Sequence, residues 1–571
     1  MISKVELGSV NSNKYKSPNI YAGQSVNRQA NFTGLGSLAL KGIQKCEEKP
    51  MINVAVLDLS TAILPRTFFE TFIGSKKKDE NGNETQERKL NVMGGFEAFR
   101  RESSGLLINC IIPSYVVYGA AKLLNRPIMK SFNMSNLAGS WANGDTIQQV
   151  GKYYSSASGL TKEDRVYASL KSMFDDIEGV NGHIDEGGLK KFRDIFANDE
   201  GYNEALKKMA KNIVSDKPEK GFTKEVYKYL VEKSGIAENI RFVGDKGFFS
   251  SNLEHLCDSA GDILHGAYKE NLVKSAVEEV PESALAFDKY LSKAKKLVNA
   301  KSLAGLGVII PLAIAAQPIN RWITHKMSGK KGAPIYNDDQ ERILTPEEKK
   351  KLTMEKFVAV PMMWAVAGLS MLMDRPTLKM FQFKNIFPTM DQARVISAAT
   401  FSSRLAAAED SNELKENTIR DIATFSSFYF LGDYAAKGIA TYLEKNNKDG
   451  IKLINRLKST EPDANILKRF WNWAKHTKMK STDELGSIAN EALRSKAKNL
   501  RAFCQIGNLA FSLISLGVFI PIYTRTQTNK KNKDAAQTSV AATSTVPPTG
   551  ATTFTQNLIK EDSKTFRKFF G

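Results

Sequence analysis

The chain has 571 residues, a formal net charge of +20 and an apolar share of 42%. That length holds several domains, and that apolar share excludes a protein made mostly of lipid-facing helices, so membrane segments must be concentrated in a few runs. The positive excess attracts phosphate, and beside long apolar runs it points to anionic lipid headgroups rather than to nucleic acid.

Residues 1–50 are rich in Asn, Ser, Gly and Lys without periodicity and are expected to form a disordered, basic and polar arm. Its start, MISKVELGSVNSNKYKSPN, has no apolar h-region, so no cleavable signal peptide is expected. Residues 51–130 read as an N-terminal helical region. Within it, 52–64 (INVAVLDLSTAIL) carries Asp58, stops at Pro65 and falls short of the roughly twenty residues a span needs, which predicts a packed or re-entrant helix. The charged stretch from Lys76 to Lys89 has a surface turn at Asn81-Gly82. Residues 105–124 (GLLINCIIPSYVVYGAAKLL) form the first candidate span, with Asn109 inside it and Lys122 placed to snorkel.

Residues 131–300 are predicted to be a soluble helical domain, with helical spacing in Val166, Leu170, Met173 and Phe174 and in Val226, Leu230 and Val231. Residues 301–375 suggest a membrane hairpin of two spans, 302–320 and 357–373, around a basic linker. Trp322 stands at the expected lipid interface, with Lys330 and Lys331 behind it. Residues 376–500 form a second helical domain, and 501–525 carry the last span, 502–523. The Thr/Ala/Pro-rich tail, 526–571, is expected to be disordered apart from a short amphipathic terminal segment. Residues 422–442 have the length of a span, but Asp433 and Lys437 would each cost about 2.5–3.5 kcal/mol near its centre. The segment is therefore left outside the membrane, its two charges forming an i,i+4 pair.

The chain repeats itself. Ser302–Pro311 (SLAGLGVIIP) and Ser512–Pro521 (SLISLGVFIP) agree at seven of ten positions, and Ser-Lys-Ala-Lys precedes each copy, at 292 and at 495. Each candidate span also contains a proline (Pro113, Pro311, Pro361, Pro521) where a backbone donor is lost and a helix kinks. Two pseudo-symmetric kinked helices could line a transport path, or could be a duplicated anchor; the scarcity of intramembrane charge favours the anchor. The basic flanks at 76–101, 321–356 and 525–533 fall on one side of four spans, which puts both termini in the cytoplasm.

Three stretches suggest sites. Phe174–Phe192, FDDIEGVNGHIDEGGLKKF, resembles an EF-hand, with Asp175, Asp176, Asn181 and Asp185 as candidate calcium ligands. The resemblance implies a helix–loop–helix, with a helix from Leu189. Its last-ligand position falls on Gly188 where that family has a bidentate Glu, which points to a loop that holds no calcium. His255, Asp258, Asp262 and His265 share one face of a helix, within about 80° at 100° per residue, a donor set that suits zinc. A polar face opposite Leu253, Leu256, Ala260, Ile263 and Leu264 is also what any amphipathic helix presents. Lys468–Lys480, KRFWNWAKHTKMK, puts Trp471 and Trp473 among cations, suited to packing inward or to lipid headgroups.

Cys46, Cys110, Cys257 and Cys504 match no zinc or disulfide framework. No phosphate-binding GxxxxGK[ST], dinucleotide GxGxxG, HExxH or GxSxG motif occurs. No cofactor is expected. The sequence thus predicts a mainly α, multi-pass α-helical membrane protein with two largely helical soluble regions and disordered termini. Its expected role is a non-catalytic scaffold or anchor contacting anionic lipid and protein partners. Two alternatives make their own demands. A transporter or channel component needs Asn109, Gln317 and the Asp433/Lys437 pair around one polar cavity. A soluble helical enzyme or binding protein needs the four apolar runs covered by other helices.

Overall fold

The first helix, α1 (Pro50–Asp58), continues through a π-helical turn at Leu59–Ile63 into α2 (Leu64–Phe72). The 52–64 run is therefore helical, and Pro65 does not end it. A two-residue hairpin pairs β1 (Lys77–Lys78) with β2 (Glu84–Thr85). Helix α3 (Val92–Leu106) packs on α2 and passes into a second π-helical turn, Leu107–Ile111. In this computed structural model the described residues are 50–72, 77–78, 84–85, 92–113, 115–116, 119, 144–180, 189–245, 252–328, 344–373, 389–457 and 465–519. The terminal arm and tail, Pro521, Lys330, Lys331, Asn181 and Asp185 lie outside them.

A separate core follows. Helices α4 (Gly144–Ser155) and α5 (Lys162–Asp175) lead into β3 (Ile177–Val180). Helix α5 starts where Thr161 and Asp164 exchange hydrogen bonds with each other's backbone N–H, satisfying two donors that a helix start leaves orphaned. Strand β4 (Leu189–Lys191) and the single turn α6 (Phe192–Ile195) precede α7 (Glu200–Ile213), α8 (Phe222–Ser234), β5 (Ile240–Phe242) and α9 (Leu253–Lys269). The strands form an antiparallel sheet in the order β4-β3-β5. The predicted helical stripes meet inside: Val166, Leu170, Met173, Phe174, Val226, Leu230 and Val231 are all buried, with Leu253, Leu256, Ala260, Ile263 and Leu264 beside them. The domain thus has a large apolar core of its own, with Leu160 and Val277 left exposed at its surface.

Helix α10 (Pro281–Ser328) joins that domain to the rest of the molecule. Its 48 residues rise about 70 Å at 1.5 Å each. The first part puts Phe287, Tyr290, Leu291, Ala294, Leu297 and Val298 into the domain core. The later part puts Ile309, Ala313 and Ala316 into a second core with Ile108, Ile396 and Ala399. The domain boundary expected near residue 300 therefore falls inside one unbroken helix, which carries Pro311 and Pro318 in its interior.

The second body is a helical bundle. Helix α11 (Pro346–Met373) includes Pro361, and α12 (Met390–Ala406) lies at the centre, packed on α10, α11 and α13 (Ser411–Ser426). A π-helical turn at Ser427–Leu431 links α13 to α14 (Gly432–Asn446). After α14 come β6 (Ile454–Arg456), α15 (Ile466–His476), β7 (Thr477–Met479), which pairs with β6, and the short α16 (Thr482–Gly486). Helix α17 (Glu491–Ile514) packs along α14 and ends in a fourth π-helical turn, Ser515–Phe519.

Three helices are long and apolar enough to cross a membrane: Pro281–Met327, Pro346–Met371 and Glu491–Gly517. They contain the 302–320 run whole, most of 357–373 and the described part of 502–523 as far as Gly517. The remaining run, 105–124, extends beyond the described residues and does not meet that length among them.

Candidate functional site: a buried ionic cluster on the central helix

Helix α12 inverts the usual pattern. Its side chains are buried almost throughout, and many of them are polar: Gln392, Arg394, Ser397, Thr400, Ser402 and Ser403. Burying polar groups is unfavourable unless each finds a partner. Most do. Ser397 shares a hydrogen bond with the Tyr429 hydroxyl at 2.6 Å, and Thr400 donates to Asn109 Oδ1 at 2.9 Å. Ser403 donates to the Ile314 carbonyl on α10 at 2.5 Å, and Arg394 reaches the Tyr429 carbonyl at 3.3 Å.

The C-terminal end of α12 supplies the charge. Arg404 lies 2.9 Å from Asp421 on α13 and 3.7 Å from Glu102 on α3. Glu102 also meets Arg66 of α2 at 2.7 Å. Arg420 approaches Asp421 at 3.4 Å and donates to Asn417 at 2.7 Å. Four helices thus converge on three arginines and two carboxylates. Asp421 is wholly buried, and its Oδ2 has no hydrogen-bond partner among the described residues. Such a cluster is costly to desolvate and depends on each member being present.

A second polar knot ties α3 to α10. Arg100 donates to Glu97, to Asn320 at 3.1 Å and to Thr324 at 2.7 Å, while Asn320 donates to Ser104 at 2.5 Å. Further along α10, Arg321 pairs with Glu409 at 2.7 Å and Glu413 at 2.5 Å. None of these ionic contacts was foreseen. Their charges lie on five separate segments, and the signal that could have found them is the recurrence of arginines and acids in apolar-flanked helices (Arg66, Glu102, Arg404, Asp421).

The polar groups that a transport path would need each have a place among these helices. Asn109 meets Thr400 of α12, and Gln317 is buried on α10. Asp433 and Lys437 pair at 2.9 Å on α14, which packs along α17. The i,i+4 pairing expected for these two charges is present, and Lys437 is buried while Asp433 faces outward.

Three of the four candidate metal residues on α9 make contacts of their own. His255 shares a hydrogen bond with Ser259 at 2.7 Å, and His265 Nδ1 bonds the Ile213 carbonyl at 2.9 Å. Asp258 accepts from Thr223. Among the described residues no three His, Cys, Asp or Glu side chains come together in a way that could hold a metal ion. Asp175 accepts from Tyr202 at 2.9 Å and Lys171 at 3.0 Å, and Asp176 accepts from Tyr153 at 2.7 Å and Arg193 at 3.2 Å. Each is held by the domain's own side chains. A strand stands at Leu189 where the EF-hand resemblance implied a helix; the helix begins at Phe192. The local shape is a β-hairpin between helices, because β3 pairs with β4 as well as with β5.

Of the expected interface residues, Trp322 and Trp471 are exposed. Trp473 turns inward and donates its indole N–H to Thr441 on α14 at 3.2 Å.

One further cluster joins the two bodies. Glu484, buried on α16, accepts hydrogen bonds from the backbone N–H of Ser481 at 2.8 Å and of Glu238 at 3.3 Å, and from the Asn455 amide at 3.2 Å. Next to it the Tyr227 hydroxyl donates to Asp483 at 2.6 Å. Burial, reinforced by the nearby charge of Glu238, pushes the Glu484 carboxyl up to about 7. Burial pulls the Lys480 ammonium down to about 8. No family model, curated protein or solved structure matches the chain.

Proposed function

We propose that this protein is a multi-pass membrane anchor that holds the helical domain of residues 144–300 at a lipid surface through the rigid helix α10. One observation carries the reading. In the three long helices the apolar windows are only 39%, 22% and 22% buried, although the 144–300 domain builds a large buried core of its own. Leu303, Val308 and Ile314 on α10, Phe357, Val358 and Leu369 on α11, and Phe503, Ile514 and Phe519 on the α17 segment all face outward. Exposed apolar surface on this scale is unfavourable in water and favourable in lipid. The polar interior fits the same environment, since polar groups in a membrane face the bundle and one another. A soluble reading needs these faces covered by the chain's other helices, and among the described residues they are not.

The test is fractionation with an alkaline carbonate wash, followed by detergent. The protein is expected to stay in the pellet until detergent is added; release by the wash alone would remove the reading. Conduction or transport is a second reading, favoured by the Arg404–Asp421–Glu102 cluster, because ionised groups inside membrane bundles commonly mark ion or proton paths. Purified protein in liposomes would then move protons or ions in a way that Arg404→Lys alters. Tight liposomes with the protein present would speak for the anchor alone.

A further inference from the structure

The sequence of helix α15 is a basic stretch with two tryptophans. Its geometry divides those tryptophans. Trp473 and Ala474 face the bundle, Trp473 through Thr441 and through ring contact with Tyr434, and Ala474 is buried. The N-terminal turns instead leave Ile466, Leu467, Phe470 and Trp471 exposed, the first two by 78% and 77%. At about 100° per residue these four fall within an arc of about 140°, and the buried Ala474 continues the same stripe onto the bundle one turn later. Lys468 and Lys475 flank one edge of that arc, and Arg469 lies beyond the other, past Trp473.

We infer that α15 is an in-plane docking helix, with Ile466, Leu467, Phe470 and Trp471 inserting among the acyl chains of an anionic bilayer surface. Charge complementarity selects this occupant. The cations on either side of the arc can snorkel to lipid phosphates while the apolar side chains enter the headgroup–acyl boundary. A protein groove would cover the apolar arc but would not need cations on both sides. Continuity supports the same occupant, because α15 is fixed through Trp473 to α14, which packs along the apolar, outward-facing α17. The inference rests on the membrane reading for the presence of the bilayer, and it adds a second, lipid-selective contact to it.

The test uses the full chain with phosphatidylcholine vesicles, with and without phosphatidylserine, carrying lipids brominated on their acyl chains. Tryptophan quenching is compared between the unmodified protein and Trp471→Phe. The Trp471 contribution is expected to be quenched, several-fold more strongly with phosphatidylserine present, and to become insensitive to lipid in Leu467→Glu/Phe470→Glu. A phosphatidylserine-dependent gain in quenching that is the same in the unmodified protein and in Trp471→Phe would overturn the inference. If that occurs while the protein resists the carbonate wash, the anchor stands and the docking helix falls. If the wash releases the protein but Trp471 is still quenched on anionic vesicles, the docking helix stands and the embedded anchor falls.

Discussion

At the residue scale the dominant fact is how much depends on single buried charges. Arg404 serves Asp421 and Glu102 together, so Arg404→Met removes the cation they share and leaves Glu102 to Arg66 and Asp421 to Arg420. Breaking a buried ion pair costs up to about 3–5 kcal/mol. The variant is expected to unfold markedly earlier in a thermal melt in detergent, and an unchanged melting temperature would mean that the cluster contributes no stability. Glu484 behaves differently. Its carboxyl is raised in the folded protein to about 7, first by burial and then by Glu238, so folding favours the protonated form. The stabilisation is complete below its ordinary value and is lost as pH rises towards and past 7. Raising the pH from 5 to 8 should therefore weaken the contact between the two bodies by about 1–3 kcal/mol. The protection factor of the Glu238 amide, which donates to Glu484, should fall, and Glu484→Gln should make that factor far less pH-dependent. Neither carboxylate was legible in the sequence, because its partners are more than 200 residues away (Glu238 for Glu484) or lie on other helices (Arg66 and Arg404 for Glu102).

At the element scale the apolar runs were the legible part. Period and composition locate helices well, and the runs at 302–320, 357–373 and 502–519 are helical. Their prolines were less readable. Pro311, Pro318 and Pro361 sit inside α-helical stretches. Three π-helical turns, Leu59–Ile63, Leu107–Ile111 and Ser515–Phe519, each end two residues before a proline: Pro65, Pro113 and Pro521. The physical reason is local. A proline has no N–H to offer and its ring crowds the preceding turn, and widening that turn relieves the crowding. The turn at Ser427–Leu431 has no such proline and is fixed by packing. There Ser427 meets Ser515 at 3.3 Å, and Gly432 lets α14 approach Asn508 of α17. A Cβ at Gly432 would collide with the Asn508 side chain and the Ser427 carbonyl. Gly432→Ala is expected to destabilise the bundle by about 1–3 kcal/mol, read as a lowered detergent melting temperature. A full-strength melt would mean that α14 and α17 can move apart without loss.

At the scale of the whole molecule, two tethers set the position of the 144–300 domain. One is α10, continuous from the domain core into the bundle core. The other is the polar contact of Tyr227 and the 237–238 backbone with Asp483 and Glu484. A helix alone transmits orientation as long as its backbone hydrogen bonds persist, whereas the carboxylate contact is conditional on pH. Two glycines inserted after Asn299 would break the first tether, since each costs helix about 1 kcal/mol and widens the accessible backbone angles. With the second tether intact at pH 5.5, the distance between spin labels at Lys207→Cys and Glu416→Cys should stay narrowly distributed. At pH 8, or with Tyr227→Phe added, it should broaden. Labelling is made specific by replacing Cys46 and Cys110, because Cys257 and Cys504 are buried. A distribution that broadens equally at both pH values would mean that α10 is the sole determinant of domain position. One that never broadens would place the restraint in contacts other than these two.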